Sequence, residues 1–169
     1  MKTSDHELGQ ELRDGTGDFL GNRRAAALLT LMGMASLAAI SLYQMGIIKR
    51  LLEPSIPVLD AEEVNGSAEA YGILNTPDAV LGLGSYAATL GLIAIGGPNR
   101  ARLQPWIPLA LAAKSSLDSF QAGTLTGKSW CKFRAFSLYS LVTALCTFLV
   151  LPFVLPEARA AWKKLKGTR

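Results

Sequence analysis

The sequence holds two thiols, Cys131 and Cys146, in 169 residues. Thiol redox chemistry runs by attack of a thiolate on a neighbouring sulfur, so each cysteine needs a partner within bonding reach. A disulfide requires Cα atoms within roughly 7 Å, whereas 15 positions of continuous helix would put these two about 22 Å apart. They do not form a redox pair. Cys131 is flanked by Lys132 and Arg134, cations that favour a thiolate, which makes it a candidate reactive thiol. Cys146 sits deep in an apolar run and reads as a small core residue.

The other residues that could do chemistry are charges in apolar surroundings. Lys114 and Asp118 have the i,i+4 spacing that puts both on one helix face, turned toward a bundle interior or an interface. Glu62 and Glu63 are adjacent, face different directions on a helix, and read as solvated acids. His6, the one histidine, lies in a polar tail. No Ser, His and Asp constellation, no Walker-type loop and no metal-ligand spacing of His and Cys is present. The Gly82-x-Gly84 element has no strand before it and reads as a helix-packing surface.

The elements that must position these residues follow from composition. Half the residues are hydrophobic and 18% are charged, against about 25% charged in soluble domains. The apolar residues fall into long blocks, and the charges lie between and beyond them. The expected fold class is an all-α integral membrane four-helix bundle, with spans at 25–48, 77–97, 105–122 and 130–155. Each run suits a hydrocarbon core of about 30 Å, the third being the shortest. Residues 1–24 form a polar tail, with a possible capping box from Ser4 to Glu7 leading toward Leu12. Residues 49–76 form a long acidic outer loop, 123–129 a turn, and 157–169 a basic tail. Trp106, Trp130 and Trp162 fall near span ends, where indole rings favour the headgroup level.

The net charge of +4 reflects topology; the basic residues flank the apolar blocks and build no continuous face for nucleic acid. One side holds Arg23, Arg24, Arg100, Arg102, Arg159, Lys163, Lys164, Lys166 and Arg169, the other Lys49, Arg50, Lys128 and Lys132. This asymmetry predicts both termini on the cytoplasmic side of the inner, cytoplasmic membrane.

Two segments resemble the vitamin K epoxide reductase (VKOR) family. Thr76 to Ala87, TPDAVLGLGSYA, is similar to the start of that family's second helix, where a Gly-Ile-Pro element comes first, with Pro77, Leu81, Gly82, Leu83 and Tyr86 in matching order; three residues separate Gly72 and Ile73 from Pro77. SWCKFRAFSLYSL, from Ser129, resembles the family's Trp-Cys-x-x-Cys element opening its fourth helix. Trp130 and Cys131 match its Trp and first Cys, and Arg134 stands where the second Cys belongs. With the four-span pattern and the long outer loop, the resemblance covers most of 25–155.

The resemblance implies a bundle around a quinone, reduced by a membrane-level cysteine pair that a second pair in the outer loop recharges. Residues 49–76 contain no cysteine and Arg134 removes half of the other pair, so the relay is cut twice. The resemblance places Tyr86, Trp130 and Arg134 at a quinone or lipid pocket and Cys131 beside it. The leading expectation is a non-catalytic accessory or structural subunit of a larger membrane complex, in contact with lipids and other membrane subunits. The alternative is a quinone-dependent thiol oxidoreductase working through Cys131 with a partner protein. A small-solute transporter would rest on the intramembrane charges alone, without the internal repeat or broken helix that alternating access uses.

Overall fold

The computed structural model describes residues 10, 13–15, 17–54, 56, 58–71 and 75–167; Ser4, Glu7, His6, Gly72 and Ile73 lie outside them. Four long helices carry the fold: α1 (Leu20–Gln44), α3 (Asp78–Ala94), α5 (Trp106–Phe133) and α6 (Leu138–Gly167). Two short helices, α2 (Ala61–Asn65) and α4 (Arg100–Leu103), and a 3-10 turn at Ala68–Tyr71 occupy the connections. α6 packs along α1 and α5, α1 packs along α3, and α3 meets α5 in the loosest of these seams. The chain is all-α; among the described residues, the β-type contact is an isolated bridge between Leu59 and Phe136.

α1 and α6 are long and apolar enough to cross a membrane, and α3 is a shorter apolar helix. The inner faces of the four long helices build two apolar clusters, one from Ala26, Ile93, Leu111, Val150 and Val154, the other from Leu37, Ile40, Ala79 and Tyr86. Their outer faces are apolar too: Leu28, Met32, Leu117, Phe120 and Leu145 are each more than half exposed. A bundle in water keeps such faces polar, whereas lipid favours apolar surface all round.

Glycine sets the closest approaches between α1 and α3. A Cβ added at Gly33 would stand 2.8 Å from the Tyr86 Cζ, and one at Gly82 3.2 Å from a Leu37 methyl. Nothing lies within 4 Å of the corresponding position at Gly84, so of the two glycines in the G-x-G element only Gly82 packs.

Helix boundaries differ from the sequence expectation at both ends of α1, at the end of α3, which stops at Ala94 short of 97, at the end of α5 and at both ends of α6. α1 starts at Leu20 and ends at Gln44, short of Ile48, because Gly46 takes φ 73°. The Gly46 amide bonds the Tyr43 carbonyl and the Ile47 amide the Leu42 carbonyl, the two bonds of a Schellman stop. Residues 123–129, expected as a turn, are helical within α5. There Thr124 and Thr126 return their hydroxyls to the Gln121 and Ala122 carbonyls. The turn lies instead at 134–137, where Arg134 adopts the left-handed conformation, φ 54°. α6 runs through Pro152 and Pro156 to Gly167; proline's φ suits a helix, and membrane helices tolerate the lost amide. Cys131 and Cys146 therefore sit on different helices, α5 and α6, and both are free thiols.

The end of the bundle where α1 starts, at Leu20, is closed by charge. Arg100, 1% exposed, and Glu157, 2% exposed, form a two-pronged ion pair with both N···O distances at 2.7 Å. The remaining Arg100 nitrogen donates to the carbonyls of Leu92, Ile93 and Ile95. Arg23 donates to the carbonyls of Ile93, Gly96 and Gly97. Two guanidiniums thus satisfy the carbonyls that the end of α3 leaves without intrahelical partners.

Candidate functional site

At the opposite end, residues 49–54, 56, 58–71 and 75–76 form a roof. Its anchor is Gln44, the last residue of α1: its side-chain amide donates to the Asn65 carbonyl at 3.2 Å and to Asp78 Oδ1 at 2.7 Å, and accepts from the Ala79 amide at 3.3 Å. Tyr71 closes the far side by donating to the Gln44 carbonyl at 2.8 Å. Asn65 Oδ1 accepts from Ser140 on α6 at 3.3 Å. The Glu53 carboxylate accepts from the Ala61 amide at 2.6 Å and from the Leu138 amide, so one acid caps α2 and α6 together. Phe136 pairs with the loop through Asp60 and Val58, at 2.9 and 2.8 Å.

Under this roof lies a cavity of about 680 Å³, within the range of roughly 300–1,000 Å³ typical of small-molecule sites. Leu37 and Ile40 of α1, Leu81 and Gly82 of α3, Leu125 and Phe133 of α5, and Leu141 and Ala144 of α6 make its walls apolar. Along α5 the lining runs from Asp118 to Phe133, about 22 Å at 1.5 Å per residue.

Asp118 stands at the deep end. Lys114 Nζ donates to Asp118 Oδ2 at 2.6 Å and to Ser85 Oγ at 2.9 Å. Ser85 and Thr89 donate to the two Asp118 oxygens at 3.2 and 3.3 Å. The i,i+4 pair, about one-fifth exposed on each side chain, is thereby neutralised across the α3–α5 seam. Tyr86 also lines the cavity, yet its hydroxyl donates to the Thr143 carbonyl at 2.9 Å, beside Thr147. Tyr86 therefore offers a ligand its ring more than its proton.

Of the two thiols, Cys131 lines the cavity and is exposed, whereas Cys146 is 3% exposed and outside the lining. Trp130 and Arg134 do not line it. They form an outer stack: Trp130 lies on Phe136 with ring centroids 5.2 Å apart, and the Arg134 guanidinium is 5.8 Å from the Trp130 centroid. The pocket expected from Tyr86, Trp130, Arg134 and Cys131 thus keeps Tyr86 and Cys131, and Phe136 takes the wall position in front of Trp130. Sequence reasoning missed Gln44, Glu53 and Asn65, which each tie to at least one partner 21 to 85 residues away. It also missed Ser137, although a serine three residues before Ser140 is a capping signal, and its hydroxyl accepts from the Ser140 amide at 3.4 Å.

The arrangement can hold an elongated apolar molecule next to one thiol. It offers no second sulfur for Cys131 within the chain. No curated protein and no solved structure matches the chain. The sequence pattern of the Vitamin K epoxide reductase family matches residues 24–155, more than three quarters of the sequence. An all-helical membrane protein with a family match of this extent belongs to the vitamin K epoxide reductase family.

Proposed function

We propose that this chain is a redox-silent member of the family: a non-catalytic accessory or structural subunit of a larger membrane complex that keeps the ligand cavity without the electron relay. One observation carries the reading, namely that Cys131 is the one thiol beside the cavity. Dithiol oxidation joins two sulfurs and releases two electrons, so one sulfur cannot complete it. Roof residues 49–76 contain no cysteine to recharge Cys131. All four long helices span the cytoplasmic membrane, the roof faces outward and both termini are cytoplasmic, in keeping with the basic flanks. The charge-closed end, the apolar outer faces and the basic tail suit a rigid scaffold held among other membrane subunits.

Purification of the full chain from its native membrane in mild detergent tests this. Expected are stoichiometric co-purifying subunits and no dithiol-driven reduction of added quinone by the chain alone. Turnover by the isolated chain, or consistent migration without partners, would overturn it.

The exposure of Cys131 at the cavity favours one second reading. A partner's thiol and Cys131 would be oxidised to a mixed disulfide, and the two electrons and two protons would pass to a quinone held against Tyr86 and Phe136. In that case Cys131→Ser abolishes thiol oxidation by the assembled complex. Unchanged activity removes the reading.

A further inference from the structure

The cavity's charges are unevenly placed. The acids in its wall are engaged inside the fold: Asp118 with Lys114, Ser85 and Thr89, and Asp78 with Gln44. The cations are not placed deep. Lys128 and Lys132 lie one turn apart at the roof end of α5, both exposed and both lining the cavity. The cavity is also open at the side. Leu81 of α3 and Leu125 of α5, 41% and 50% exposed, line it on either side of the loosest helix seam.

A lateral apolar opening admits a molecule from the bilayer, and two ammonium groups at headgroup level attract a negative charge. A neutral quinone uses the first feature and not the second, although Lys132 also keeps its ammonium 5.3 Å from the Phe133 ring centroid. We propose that the cavity holds a lipid with an anionic headgroup, its chain passing between α3 and α5 and its phosphate at Lys128 and Lys132. This rests on the reading of the cavity as a retained ligand pocket, and it names the ligand class. The lipid would act as a fixed structural element, filling the space between α3 and α5 where the helices themselves pack least.

The test uses the full chain in nanodiscs of equal phosphatidylglycerol and phosphatidylcholine with added ubiquinone, extracted gently and analysed for retained lipid by mass spectrometry. Phosphatidylglycerol should be retained over phosphatidylcholine by on the order of tenfold. Lys128→Glu/Lys132→Glu should bring that ratio close to one, with melting temperature compared to verify folding. The charge-matched pair Lys163→Glu/Lys166→Glu, at the other end of the bundle, should leave it unchanged. Glycerol phosphate, a headgroup without a chain, should not displace the lipid. Equal retention of both lipids, retention of ubiquinone in place of lipid, equal loss in the two double variants, or displacement by glycerol phosphate would each overturn the proposal. Retained ubiquinone without turnover leaves the accessory reading standing, whereas turnover by the chain alone sinks that reading whichever lipid is bound.

Discussion

The two ends of this bundle are closed by different physics. At the end where α1 starts, Arg100 and Glu157 are paired at 0–2% side-chain exposure, and Arg23 and Arg100 between them engage the carbonyls that end α3. At the roof end the ties run mostly from neutral amides, hydroxyls and backbone to a loop, and they enclose about 680 Å³ of space. Buried ionic contacts with fixed geometry tolerate little displacement, because any opening strands a charge in a low-dielectric interior. Neutral bonds over a cavity open at lower cost. The difference teaches that rigidity and ligand space have been put at opposite ends, so the pocket can vary without loosening the scaffold.

The largest expected effect comes from breaking the charged end. Glu157→Leu leaves Arg100 buried without its carboxylate and should cost about 3–5 kcal/mol, the usual penalty for halving a buried ion pair. Arg100→Met/Glu157→Leu removes both charges and should recover most of that loss. Thermal melting in detergent of the two single variants and the double variant checks it. A double variant no more stable than Glu157→Leu would mean that the three backbone carbonyls, and not Glu157, are what Arg100 mainly serves.

The same contrast explains what could be read in the sequence. Long apolar blocks gave helices and their order, since lipid removes the polar face that blurs helix patterns in soluble chains. Lys114 and Asp118 were legible as a pair because their spacing is local. Arg23 and Arg100 were read as topology signals, but both are buried; what engages them is 5 to 74 residues away, and no side-chain pattern announces it. The glycines were read in the wrong sense twice. Gly46, inside an apolar run, is the helix stop, whereas Gly123 and Gly127, in a polar stretch, are helical. Composition located the apolar helices well and helix ends poorly. The cavity was legible through Tyr86 and Cys131, and its roof was not, because Gln44, Glu53 and Asn65 look like ordinary surface residues until the loop folds back.

Weakening the roof should have a smaller effect and a local one. Gln44 is buried and makes three side-chain hydrogen bonds, so Gln44→Ala should cost about 1–3 kcal/mol through groups left without partners. Hydrogen exchange should speed up across 58–71 and at the start of α3, with α4 and the end of α6 unchanged. Acceleration spread equally over both ends would erase the distinction between a rigid base and a separately opening roof.

The smallest effect on stability should come from Cys131, and it sharpens the contrast most cleanly because it reads accessibility. Cys131→Ser exchanges an exposed side chain and should change stability by no more than about 0.5 kcal/mol. In the native chain a maleimide should modify one thiol, Cys131, because Cys146 is 3% exposed on the packed face of α6. Cys131→Ser should then take up no label until the bundle is unfolded. Rapid native labelling of Cys146, which sits between cavity-lining Ala144 and Thr147, would show that the packed face of α6 opens as readily as the roof. Slower labelling of Cys131 in discs rich in anionic lipid than in neutral discs would place an occupant beside that thiol, in the part of the cavity that Lys128 and Lys132 border.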